Sequence, residues 1–185
     1  GPYESLVELK KDSNIYRQLI QDNPRRAEKI ANDQFLVKVE IIIVWPNGVD
    51  ETFHKIVYRI IQHSSNGKVN RKGVSGIHLF DKSKIKIVKL LSEDKTTGIF
   101  EAEVEVLNER TGQYIKKKDK SSFFPVYWDL QRLIFECYEA YMNMVEVEAN
   151  IYQGKTESGI KLEFVYNQDN VFRSVYPVLK KNNRD

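Results

Sequence analysis

The stretch KIKIVKLLSEDKTTGIFEAEVEVLNERTGQYIKKK, residues 84–118, changes the rhythm of the chain. Its segments KIKIVKLL (84–91), IFEAEVEVLN (99–108) and GQYIKKK (112–118) alternate with a period of two, which sends successive side chains to opposite faces of a strand. SEDKTTG and NERTG lie between them as turns. Connections this short join antiparallel neighbours, because a parallel crossover needs a dozen residues or more.

Upstream the period is helical. SLVELKKDSNIYRQLI places Leu6, Leu9, Ile15, Leu19 and Ile20 at helical intervals, and NPRRAEKIAN restarts after Asn23 with Pro24 in a favoured first-turn position. FLVKVEIIIVW (35–45) is rich in β-branched residues and ends at the PNG turn, which predicts a strand. DETFHKIVYRIIQH (50–63) predicts an amphipathic helix with Phe53, Ile56, Val57, Ile60 and Ile61 on one face, Asp50 as N-cap and His63 at or just past its end. His54 falls inside this pattern and reads as an ordinary helix residue.

Downstream, SSFFP (121–125) precedes a helix predicted over about 128–146. Its apolar stripe is Leu130, Leu133, Ile134, Cys137, Tyr141, Met144 and Val145. GIKLEFVYN and VFRSVYPVL then flank the NQDN turn as a closing hairpin. The predicted fold class is α+β: N-terminal helices, then a mostly antiparallel sheet interrupted by one helix. Residues 1–45 read as a helical extension with a first strand and 46–185 as the main domain, or 1–185 as one continuous domain.

Of the 185 residues, 41% are hydrophobic and 30% charged, a balance that fits a folded chain. The longest apolar run, VEIIIVW, is far short of the roughly 20 residues that span a bilayer. The initial Gly1-Pro2 reads as the scar of a tag-removing protease. Cys137 is the single cysteine, which excludes an internal disulfide framework and a multi-cysteine zinc site. It reads as a small buried hydrophobe. Net charge is only +3, yet Lys68, Arg71, Lys72, Lys82, Lys84, Lys86 and Lys89 face one acid, Asp81, within 67–89, and KKKDK follows at 116–120. Clustered basic charge of this kind invites a polyanion.

Two of the three histidines, His63 and His78, stand at the two ends of one polar segment, HSSNGKVNRKGVSGIH. Two imidazoles titrating near neutrality are the minimum equipment for a general acid and a general base. Transfer of an RNA phosphoryl group from a 5′-oxygen to the neighbouring 2′-hydroxyl needs that pair, with a cation near the non-bridging oxygens. Gly67, Gly73 and Gly76 let the backbone turn tightly and approach a ligand. SGIH leads toward the strand after Lys82, which places His78 at a sheet edge.

HSSNGKVNRKGVSGIH resembles the two-histidine segment of bacterial EndoU-type endoribonucleases. TTGIFEAEVEVLNERTGQYIKKKDKSSFFPVYW is similar to that family's strand pair, lysine, STFFP-like element and following tryptophan, and GKTESGIKLEFVYNQDNVFRSVYP to its closing hairpin with a Ser/Thr-x-Tyr-Pro motif. The blocks occur in the family's order and cover about residues 60–178. HSSNG lacks the aliphatic residues often found after the first histidine, and SGIH is followed by Leu79 rather than a polar residue.

The resemblance implies the EndoU nuclease fold and an RNase leaving a 2′,3′-cyclic phosphate, with no cofactor required and manganese as a potential assistant. It implies catalytic roles for His63 and His78 and a lysine four residues before a hydroxyl, which fits both Lys118–Ser122 and Lys117–Ser121. Ser122 directly precedes FFP, so Lys118 and Ser122 are chosen. Ser174 and Tyr176 share a strand face by parity with Phe172; Ser174 would hydrogen-bond a base or phosphate, the Tyr176 ring would orient ribose or stack on a base, and Lys72 would bind substrate. Bacterial members are commonly toxin modules of larger secreted proteins that act in the target-cell cytoplasm on RNA, tRNA included, and are neutralised by a cognate immunity protein. The alternative from a different class is a non-catalytic RNA- or protein-binding module on the same fold. A metal-dependent phosphodiesterase would need a carboxylate cluster beyond Asp81.

Overall fold

A computed structural model describes residues 51–179; the helices and strand expected before residue 46, and the Asp50 cap, lie outside the described residues. Helix α1 (Glu51–Arg59) runs straight into a π-helical turn, Ile60–Asn66. All five residues of the expected apolar face, Phe53, Ile56, Val57, Ile60 and Ile61, are buried. The wide turn closes with the Gly67 amide donating to the Gln62 carbonyl at 2.8 Å, a bond spanning five residues. Gly67 has φ +61, and a Cβ there would stand 2.2 Å from Ile77 Cγ1, so only glycine ends the turn without displacing its neighbour.

From Gly67 the chain forms a short hairpin, β1 (Lys68–Asn70) with β2 (Gly73–Ser75). In sequence this hairpin reads only as a basic loop. It works as a clasp. Its return brings Ile77 N–H onto the His63 carbonyl at 2.8 Å, and the His78 and Leu79 amides onto the Ser64 carbonyl at 2.6 and 3.0 Å.

Strands β3 (Ile85–Glu93), β4 (Phe100–Asn108) and β5 (Gln113–Lys116) follow as an antiparallel sheet, with β6 (Ser121–Phe123) also paired to β4. Phe100, Ala102, Val104 and Val106 of β4 point inward and, with Ile77, Ile85 and Phe123, form one core. Helix α2 (Leu130–Asn143) is capped by the Asp129 side chain on the Arg132 amide. It packs on a second antiparallel sheet of β7 (Val145–Glu148), β8 (Ile151–Lys155), β9 (Lys161–Tyr166) and β10 (Phe172–Pro177). The approach is close: a Cβ on Gly154 of β8 would stand 1.9 Å from the Ala140 carbonyl oxygen. α1, the π turn, α2 and this sheet enclose the larger core.

Three expectations change. α2 ends at Asn143 rather than near 146, because the Asn143 side chain bonds the Glu139 carbonyl and both backbone groups of Lys155, tying the helix end to β8. Val145 is therefore not in the helical stripe but 63% exposed on β7. The β7–β8 hairpin is additional to the expected strands. His78 lies in a loop wedged between the π turn and the end of β6, where its carbonyl accepts from the Phe124 amide, and not on a sheet edge.

Candidate active site

The two cores meet along a seam, and the candidate residues collect on it. His63 sits in the π turn beside the larger core. His78 sits where the chain leaves the smaller core at Ile77 and reaches the larger one at Leu79. The crossing is tight: Gly76 and Ile77 both have positive φ, +77 and +70. Positive φ is costly for a β-branched residue, and burial of the Ile77 side chain holds it there. A Cβ on Gly76 would stand 2.3 Å from the His63 carbonyl oxygen. Glycine is thus required where the two histidine segments touch.

The ring centroids of His63 and His78 are 6.0 Å apart, and the Tyr176 ring lies 5.8 Å beyond His78. Hydrogen bonding sets the two histidines in opposite tautomers. His78 Nδ1 is 2.7 Å from the Ser122 carbonyl oxygen, which can only accept, so Nδ1 carries the proton and Nε2 presents a lone pair. His63 Nδ1 faces Arg59 Nη2 at 3.5 Å; a guanidinium only donates, so in neutral His63 the proton is on Nε2. Both pKa values are lowered to about 4. Burial is the main cause for each, with Arg59, Lys117 and Arg173 adding to it at His63, and Lys117 and His63 at His78 against the opposing Ser122 bond.

The lysine at this seam is Lys117, not Lys118. Half-buried Lys117 donates through Nζ to the Gly76 carbonyl at 2.8 Å, and its charge acts on both imidazoles. Burial lowers its own pKa, while Asp119 opposes. Lys118 is exposed beyond the end of β5. Strand parity does not carry across these residues, because one strand ends at Lys116 and the next begins at Ser121. Ser122 contributes its backbone carbonyl to His78 rather than its hydroxyl, and Ser121 is the buried serine.

On β10 a bulge between Phe172 and Ser174 breaks the simple alternation. Phe172 and Val175 therefore both enter the core, while Ser174 and Tyr176 share the opposite, half-buried face. The expected grouping of Phe172 with Ser174 and Tyr176 does not hold, but Ser174 and Tyr176 remain together. The Tyr176 hydroxyl donates to Glu163 across the β9–β10 pair, and Glu163 also accepts from Gln153 at 2.9 Å. Burial and this bond raise the tyrosine pKa. The hydroxyl is thus engaged, and the ring is the part turned to His78.

Lys72 stands exposed at the tip of the β1–β2 hairpin, its amide bonded to Asn70 Oδ1, and is not among the cations acting on either histidine. Three participants were not singled out from sequence. Arg59 lies one helical step before His63, the spacing at which side chains meet, and its Nε donates to the Arg173 carbonyl at 2.8 Å. Ser64 Oγ ties the π turn to β10 through the Val175 carbonyl. Glu163 is visible only once the strand register is known. Among the described residues no three His, Cys, Asp or Glu side chains converge as metal ligands. No helix among them is long and apolar enough to cross a membrane.

An α+β domain with two convergent imidazoles, a half-buried lysine and a strand-borne tyrosine on one seam has the equipment of a phosphodiester-cleaving enzyme. The family model described as "Bacterial EndoU nuclease" matches residues 58–179, which include every residue of this seam. The chain belongs to the bacterial EndoU nuclease family. No curated protein and no solved structure matches it.

Proposed function

We propose that this nuclease cuts RNA by transesterification, with His78 as general base and His63 as general acid. The free Nε2 of His78, set by the bond from its Nδ1 to the Ser122 carbonyl, carries the base assignment, and His63 is the second imidazole beside it. His78 Nε2 takes the proton of a 2′-hydroxyl, and the 2′-oxygen attacks the adjacent phosphorus. The P–O5′ bond breaks as protonated His63 delivers its Nε2 proton to the departing 5′-oxygen. The products are a 2′,3′-cyclic phosphate and a 5′-hydroxyl, and solvent returns the histidines to their starting states. Lys117 offers positive charge to the non-bridging oxygens as the phosphorane forms. Ser174 and the Tyr176 ring hold the nucleotide that bears the 2′-hydroxyl, and Lys72 is a phosphate contact away from the chemistry.

Both lowered pKa values suit the base in the free protein and disfavour the acid. A bound phosphodiester brings negative charge to both rings and raises them, which supplies the protonated His63 that the step needs. No cofactor takes part in the step as written; manganese in excess tests for assistance. Family membership supports a further reading, in which the domain is carried by a larger secreted protein and acts in a target cell's cytoplasm, tRNA is a candidate substrate, and a cognate immunity protein protects the producer.

The test is incubation with total tRNA in EDTA, followed by a denaturing gel. The expected result is cleavage by the wild type and a loss of roughly 100-fold or more in His63→Ala and His78→Ala. RNA left intact at high protein concentration would instead support a non-catalytic binding module.

A further inference from the structure

Beside the seam, on the far side of Arg59, lies a groove of about 630 Å³ that no step of the proposed chemistry uses. Its wall carries four tyrosines, Tyr58, Tyr141, Tyr152 and Tyr166, and its rim three cations, Lys55, Arg59 and Arg173; no carboxylate lines it among the described residues. Tyr152 and Tyr166 meet edge to face at 5.4 Å and are both half-buried, so each ring is held by packing yet keeps open surface. Fixed aromatic rings with flanking cations are the chemistry that takes single-stranded nucleic acid, bases on the rings and phosphates on the cations. The groove is continuous with the seam through Arg59, which reaches His63 Nδ1 at one end and the Arg173 carbonyl at the other.

We propose that this groove binds the RNA on the 3′ side of the cut. The inference rests on the nuclease reading above and adds a direction to it. The nucleotide that supplies the 2′-hydroxyl belongs beside the base, His78, where Tyr176 stands. The nucleotide that departs with the 5′-oxygen belongs beside the acid, His63, and His63 is the histidine that adjoins Arg59 and the groove. β10 links the two subsites, with Arg173 at the groove and Ser174 and Tyr176 at the seam. RNA therefore runs from Tyr176 across the histidines, over Arg59, and into the tyrosine groove.

The probes are DNA oligonucleotides with one ribonucleotide, an equimolar mixture of the four bases, so that each molecule has a single cleavable position. The shortest has one deoxynucleotide 3′ of it; others add three deoxynucleotides on the 3′ side or on the 5′ side. With the full chain, the 3′ extension is expected to lower KM about tenfold or more, as stacking of even one base would, and the 5′ extension to do much less. Lys55→Ala and Tyr152→Ala should each remove most of the 3′ benefit while leaving kcat/KM on the shortest probe unchanged. Melting curves confirm that each variant is folded at the assay temperature. Lys55 is fully on the surface side of α1, so its variant carries the test even if Tyr152→Ala is destabilised. Equal gains from both extensions, or a 3′ gain that survives in Lys55→Ala, would overturn the assignment of the groove while leaving the nuclease reading intact. Failure of the wild type to cut any probe or any RNA would overturn both. An acidic protein that bound the groove while long and short RNA were cut equally would identify it as a protein-docking surface and overturn the RNA assignment.

Discussion

Acid should weaken this fold through His78, and the size of the effect follows from its burial. The residue is 9% exposed, and its pKa falls from 6.5 in an unfolded chain to about 4 in the folded one. Between those values the unfolded chain takes up a proton that the folded chain refuses, so stability is full above pH 6.5 and declines as the pH falls toward 4. The gap of 6.5 − 4, about 2.5 units, at ~1.4 kcal/mol per unit amounts to roughly 3 kcal/mol. For a chain of this size that is on the order of 10 °C in Tm. His78→Gln is the informative replacement, because its amide can still donate to the Ser122 carbonyl and never titrates. Denaturant or thermal unfolding of both proteins from pH 7.5 to pH 4 isolates the term, since carboxylates and His63 contribute to both. The wild type should lose roughly 3 kcal/mol more than the variant over that range. Parallel curves for the two proteins, or a wild type that gains stability in acid, would refute the reasoning.

Lys117→Gln removes a cation that depresses both imidazoles, so both pKa values rise. The maximum of the kcat/KM–pH profile should move to higher pH and the single-turnover rate should fall; Lys118→Ala should leave the profile in place and only weaken RNA binding at low salt. Gly76→Ala forces a side chain into a positive-φ site against the His63 carbonyl. It should cost at least about 1–2 kcal/mol and lower cleavage further than the unfolded fraction explains, as denaturant melts run beside the assay will show. Tyr176→Phe keeps the ring that faces His78 and loses only the bond to Glu163, so cleavage should stay within a few-fold of wild type, whereas Tyr176→Ala should lose most of it. Equal loss in both variants would point to the hydroxyl as the working group.

Elements with one-sided burial were legible in the sequence. α1 spells out its buried face at helical spacing, and β4 alternates Phe100, Ala102, Val104 and Val106 inward against Glu101, Glu103 and Glu105. VEVE alternates as a strand does, but β7 is only four residues long and follows the helical stripe directly, so its first valine reads as a continuation of the helix. The choice between Lys117 and Lys118 was hidden for a different reason. Phe123 and Phe124 are both fully buried, one in each core, so the apolar pattern around SSFF favours neither parity. The β10 bulge likewise broke an alternation that sequence could only assume to be regular. His63 and His78 were conspicuous as the ends of one segment, and the unforeseen β1–β2 hairpin is the reason that those ends meet. The π turn left no mark in the pattern of residues, although it sets where His63 points relative to Arg59.

Product chemistry tests the central claim most directly. A single-ribonucleotide probe cut by the wild type in EDTA should yield a 2′,3′-cyclic phosphate on the upstream fragment and a 5′-hydroxyl on the downstream one, resolved by mass spectrometry, while the same oligonucleotide with 2′-deoxy or 2′-O-methyl at that position stays whole. Cleavage of the blocked probe, or a 5′-phosphate on the downstream fragment, would contradict a 2′-hydroxyl nucleophile activated by His78.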